Sequence, residues 1–128
     1  MKKGTYLTIR KVGKFYQTFD EDANILHYLF SYKIVNHRAG FPFNALNKVL
    51  NTLEEKKISY EIVDDENPLE MDFTDLNEYE EYLSKSMDKL EIEKKLNLLD
   101  LKLSKMNSKQ LLNALNEMEQ VVEDETRI

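Results

Sequence analysis

Few groups in this 128-residue sequence could carry chemistry, and each can be weighed by type and spacing. His27 and His37 are its two histidines, and neither has a second ligand at a metal-binding spacing such as His-Glu-x-x-His. Cysteine is absent, which removes thiolate metal sites and disulfides. A Gly-x-x-x-x-Gly-Lys-[Ser/Thr] phosphate loop is absent too, and the chain holds three glycines in all. Carboxylates are many, but Glu78, Glu80 and Glu81 stand at helical, solvated positions, so paired-acid catalysis has no specific support. A hydrolase using carboxylates and a divalent ion is the least supported function. The expectation is a protein with no enzymatic activity, no metal and no cofactor. What remains is binding, and one stretch stands out for it. Lys14-Phe15-Tyr16-Gln17-Thr18-Phe19 places three aromatics within five positions. In a strand, Phe15, Gln17 and Phe19 share one face while Lys14, Tyr16 and Thr18 share the other. Such aromatics can also simply fill a core.

The elements that would position this stretch follow from periodicity. Thr5 to Arg10 alternates as a strand, and Lys11, Val12 and Gly13 turn the chain, Gly13 tolerating positive φ. Lys14 to Phe19 returns. Asp20 is placed to cap a helix from Glu21, with Ala23, Ile25, Leu26, Leu29 and Phe30 at helical spacing. Tyr32, Ile34 and Val35 predict a third strand near 32–36. Gly40 and Pro42 predict an irregular connection through Arg38 to Phe43. Asn44 could cap a helix bearing Leu46, Val49, Leu50 and Leu53, and Ser59 to Val63 reads as the last strand. The fold class is therefore α/β (α+β), a mixed β-sheet with flanking helices, in which a helix between two strands is most simply a crossover.

Two linked motifs add to this reading. Gly13-Lys14-Phe15-Tyr16-Gln17-Thr18-Phe19 is followed by Asp22-Ala23, and Ala39-Gly40-Phe41-Pro42-Phe43-Asn44-Ala45 follows at a distance. In order and spacing the pair resembles the N-terminal, mismatch-recognition domain of the MutS family of DNA mismatch-repair proteins, over about residues 5–65. The family pattern is G-D-F-Y-E-x-F, then a D-A helix, then an A-G-[IF]-P-[YFH]-H-A helix and a closing strand. The resemblance implies a non-enzymatic protein that binds mismatched or distorted duplex DNA. It implies that Phe15 wedges beside a mispaired base from the minor groove and that Gln17 is its polar partner, with Tyr16 facing the interior. Arg10, Lys11, Lys14, Lys33 and Arg38 would then supply phosphate contacts. The sequence departs from the pattern at Gln17 (Glu in the family), Lys14 (Asp), Asn44 (His) and Asp64-Asp65 (Glu-Gln). A glutamine amide still donates and accepts, but it has no charge to be protonated.

The net charge of −6 hides an asymmetry: residues 1–57 carry ten Lys or Arg against five Asp or Glu, and residues 58–128 carry eight against nineteen. A nucleic-acid-facing surface beside an acidic appendage gives that pattern, as do solvated faces that segregate without a partner. Asp64-Asp65-Glu66-Asn67-Pro68 is an acidic break, and a domain boundary is expected there, 1–66 against 67–128. Beyond it, Thr74 or Asp75 could cap a helix carrying Leu76, Tyr79, Tyr82, Leu83, Met87 and Leu90. Ile92, Leu96, Leu99, Leu103 and Met106 extend the stripe, and Leu111, Leu112, Leu115, Met118 and Val122 begin another after Asn107. This acidic helical segment is expected to pack on the sheet domain, to form a homodimer or to meet a protein partner, so a protein-interaction module on the same fold is the alternative function. No apolar run approaches membrane-spanning length and Met1 to Tyr6 lacks the apolar segment of a signal peptide, so a cytoplasmic protein is expected.

Overall fold

The computed structural model describes residues 5–127. β1 (Leu7–Val12) and β2 (Phe15–Phe19) form an antiparallel hairpin in which Val12 stands opposite Phe15 and Arg10 opposite Gln17. Gly13 makes the turn at φ +61, and a Cβ there would meet nothing within 4 Å, so backbone conformation rather than space favours glycine. The chain passes directly from β2 into α1 (Asp20–Phe30). The cap position therefore falls on Phe19, a sheet residue, and Asp20 does not cap the helix as expected. Its three acidic residues, Asp20, Glu21 and Asp22, still suit the positive end of the helix dipole.

The third strand is not at 32–36. Asn36 and His37, both at positive φ, form a two-residue hairpin turn in which Val35 and Arg38 exchange backbone hydrogen bonds of 2.8 and 3.0 Å. The regular strand, β3, is Arg38–Pro42, antiparallel to β2. It is the sheet edge, where a proline without an N–H is tolerated. Gly40 is needed there for closeness: a Cβ would lie 3.1 Å from the Tyr16 carbonyl oxygen and 3.4 Å from Gln17 Cγ. A short 3-10 turn, Phe43–Ala45, leads into α2 (Leu46–Glu55), whose cap is Ala45 with no side-chain bond, so Asn44 does not cap it. α2 crosses to β4 (Tyr60–Val63), which runs parallel to β1. A fifth strand, β5 (Leu69–Met71), pairs antiparallel with β4 and was not legible in the acidic break. The sheet order is β3-β2-β1-β4-β5.

Leu7, Ile9, Tyr16, Phe41, Tyr60 and Ile62 of the sheet meet Ala23, Ile25 and Leu26 of α1 and Val49, Leu50 and Leu53 of α2 in one core. The helix expected after Pro68 begins later than expected, as α3 (Tyr79–Leu103). Thr74 and Asp75 lie in a short 3-10 turn, and Asn77 does the holding instead. Its Oδ1 accepts from the N–H groups of Ser59 (3.0 Å) and Tyr79 (3.2 Å), and its Nδ2 donates to the Thr5 carbonyl (2.9 Å). α3 runs unbroken through Ser84 to Ser86; Ser86 is buried and donates back to the Leu83 carbonyl. α4 (Ser108–Thr126) starts at Asn107 as expected, with a reciprocal capping box to Gln110.

The chain divides into two compact units, Met1–Leu90 and Glu91–Ile128. The boundary expected at 66/67 falls inside the first, because β5 extends the sheet and Tyr79, Tyr82 and Leu83 pack on its core. In the second unit Leu99, Leu103, Leu111 and Met118 are half-buried, whereas Ile92, Leu96, Leu112, Leu115 and Val122 are exposed. The apolar stripe is helical, but much of it is left open in the single chain.

Candidate nucleic-acid interface

Strand alternation sorts the hairpin residues into two sets. Phe15 is 54% exposed at the tip, and Tyr16 behind it is 9% exposed. Tyr16 is anchored by rings on either side, 5.7 Å from Phe41 and 5.0 Å from Phe43 between centroids, and Tyr32 stacks on Phe41 at 5.9 Å. Thr18, on the same face, is buried and donates to the Ala39 carbonyl at 2.9 Å. The inner set thus fixes the strand, and the outer set is presented to solvent.

The outer face forms three cross-strand rows. At the tip, Val12, Phe15 and Pro42 are in register and all exposed. Arg10, Gln17 and Gly40 form the second row, with Gln17 half-buried. Phe19 and Arg38 form the third, the guanidinium carbon 5.4 Å from the ring centroid. Lys14 is exposed in the turn.

Six of the seven residues singled out from the sequence therefore lie on β1, β2, their turn and β3. Lys33 is exposed but sits in the segment between α1 and β3. Lys11 is on the hairpin yet on the other face, opposite Tyr16, with its Nζ 5.3 Å from the Phe43 ring centroid and 3.9 Å from Asp64 Oδ2. Asp64 is buried, and the backbone N–H groups of Glu66 (2.9 Å) and Asn67, with Lys11 adding to them, hold its carboxyl below the usual range. Lys11 is thus an internal counter-ion as much as a surface cation. Sequence reasoning missed the tip residues Val12 and Pro42 and the pairing of Phe19 with Arg38. Their types carry no signal; only the register brings them together.

Acidic groups border this face at one end, where Asp20, Glu21 and Asp22 line a cavity with Arg10 and Phe19. Asp22 accepts from the Thr8 N–H (3.1 Å) and the Tyr79 hydroxyl (2.6 Å), and burial nevertheless raises its carboxyl above the ordinary value. At the start of α3 a hydrogen bond between Glu78 and Glu81 raises the former and lowers the latter. His27 Nδ1 lies 2.9 Å from the Tyr32 carbonyl oxygen. Among the described residues, no three His, Cys, Asp or Glu groups come together so as to hold a metal ion. Among them, too, no helix is long and apolar enough to cross a membrane.

Fold and surface together define an α/β domain with helices on one sheet face and an aromatic, arginine-bearing hairpin on the other. Residues 1–109 match the family model described as MutS domain I, and the chain belongs to that family. This is the family that the two sequence motifs resemble. A comparison with curated proteins gives no match.

Proposed function

We propose that this chain is a non-enzymatic, cytoplasmic DNA-binding protein that favours mismatched or otherwise distorted duplex. The observation that carries the reading is the exposed Phe15 at the hairpin tip, with Gln17 next on the same face and Tyr16 buried behind as anchor. An inserted ring replaces stacking lost at a kinked step, and a defective pair costs less to unstack than a matched one. The Gln17 amide can donate to or accept from a base edge. Arg10, Lys14 and Arg38, with Lys33 further off, supply phosphate contacts that position the protein without reading sequence. Lys11 contributes only as far as it leaves Asp64. Titration of matched, mismatched and single-stranded oligonucleotides at two salt concentrations tests this. Saturable binding that favours the mismatch and weakens steeply with salt is expected.

A second reading is a protein-interaction module that forms a homodimer through the C-terminal helices. The exposed Ile92, Leu96, Leu112, Val121 and Val122 favour it, because apolar side chains grouped on a helical segment usually have a partner. Sedimentation of the full chain tests self-association directly.

A further inference from the structure

We propose that the open face of β1, β2 and β3 is a track for one unpaired DNA strand, so that the preferred ligand is a junction between duplex and single strand. This rests on the DNA-binding reading above and adds a second contact, centred on Phe19, to the one at the tip.

The face has what an unpaired strand needs and a matched duplex does not use. Phe15 and Phe19 lie on it four residues apart, a distance of about 13 Å along a strand. That spans roughly four nucleotide steps at the stacked rise of about 3.4 Å. A paired duplex hides its base faces, whereas an unpaired strand offers every one of them to an aromatic platform. Gly40, opposite Gln17, puts no side chain between the two aromatic rows, leaving the middle of the track low on the β3 side.

Charge limits the track to this part of the sheet. On the outer face of β1 to β3 the charged residues are Arg10 and Arg38, with Lys14 in the turn, and no carboxylate is among them. On β4 and β5 the same face carries Glu61 and Glu70, in register with each other. A polyanion is thus drawn to the β1–β3 half and turned away from the other. At the far end, a cavity of about 460 Å³ opens beside Phe19, lined also by Thr8, Arg10, Asp20 and Glu21. A base stacked on Phe19 has room there, and a ring N–H such as N3–H of thymine meets carboxylate acceptors. The acidic first turn of α1 ends the track.

The chain contains no tryptophan, so Phe19→Trp introduces a single indole whose emission reports stacking. The full-length variant is titrated with oligo-dT, with a blunt matched duplex, and with the same duplex bearing an oligo-dT overhang. Quenching by oligo-dT and by the overhang, but not by the blunt duplex, is the expected result. Phe19→Ala and the milder Phe19→Leu, each checked for folding by circular dichroism, should bind the overhang about tenfold more weakly, a larger loss than either shows on a blunt mismatched duplex. No quenching by the overhang, or unchanged overhang affinity in a folded Phe19→Leu variant, would overturn the track while leaving the tip contact in place. Failure of the wild type to bind any of these DNAs would instead remove the underlying DNA-binding reading, and the track with it.

Discussion

Phe15 and Tyr16 are adjacent in β2 and take opposite fates: Phe15 stands 54% exposed at the hairpin tip, and Tyr16 is buried with its ring 5.0 Å from that of Phe43. The two-residue period of a strand makes this division obligatory once one of them enters the core. It also lets a wedge project without loosening the strand that carries it, because the anchoring ring is the next residue. Removing either ring should therefore have a different consequence.

Tyr16→Ala should destabilise the fold by about 3–5 kcal/mol, the usual cost of deleting a large buried aromatic. Phe15→Ala should change stability by no more than about 0.5 kcal/mol, as for an exposed site. Urea denaturation of the two variants beside the wild type measures both values.

Lys14→Asp should lower general affinity for DNA and reduce the slope of log affinity against log salt by about one unit, since one phosphate contact is lost. Gln17→Glu should weaken overall affinity, because an ionised carboxylate only accepts hydrogen bonds and repels phosphates. Its discrimination between mismatched and matched duplex should sharpen. Salt-series titrations of both variants read these effects.

Asp22 gives a pH dependence whose sign is fixed by its raised carboxyl. In the unfolded chain the group titrates near 3.8, and in the folded protein it titrates higher, chiefly through burial. The folded state therefore holds the proton more tightly, and this contribution is fully present below about 3.8 and lost as pH rises through the folded value. The stability of the wild type relative to Asp22→Asn should fall over that window and then level off. Thermal unfolding of both proteins across mildly acidic to neutral pH checks it.

How much of this was legible beforehand depended on whether the cause was local. The hairpin, α1, α2 and the placing of Phe15 and Tyr16 on opposite faces follow from period and turn chemistry within a few residues; which of the two turns inward followed only from the family resemblance. β3 was misplaced because Gly40 and Pro42 are breakers in a central strand and acceptable on an edge, and edge position is a property of the whole sheet. β5 has three residues, too few for a period to show. Asn77, which ties Thr5, Ser59 and Tyr79 together, acts over long sequence separations and had no local signal. For the site, the tip aromatic and the nearby cations were readable from type and motif. The diversion of Lys11 to Asp64 and the stacking of Arg38 on Phe19 were not, since both are set by strand register.

The central claim is that the exposed ring of Phe15 makes the preference for distorted DNA. The most direct test compares wild type and Phe15→Ala on a matched duplex and on the same duplex with one mispair, at low and moderate salt. The account predicts that the wild type prefers the mispair, and that Phe15→Ala loses this preference while keeping most of its salt-dependent affinity for both duplexes. Equal binding of the two proteins to the mispaired duplex, with the preference intact, would contradict it and put the discriminating contact away from the tip; no saturable binding by the wild type would leave the interaction module as the better account.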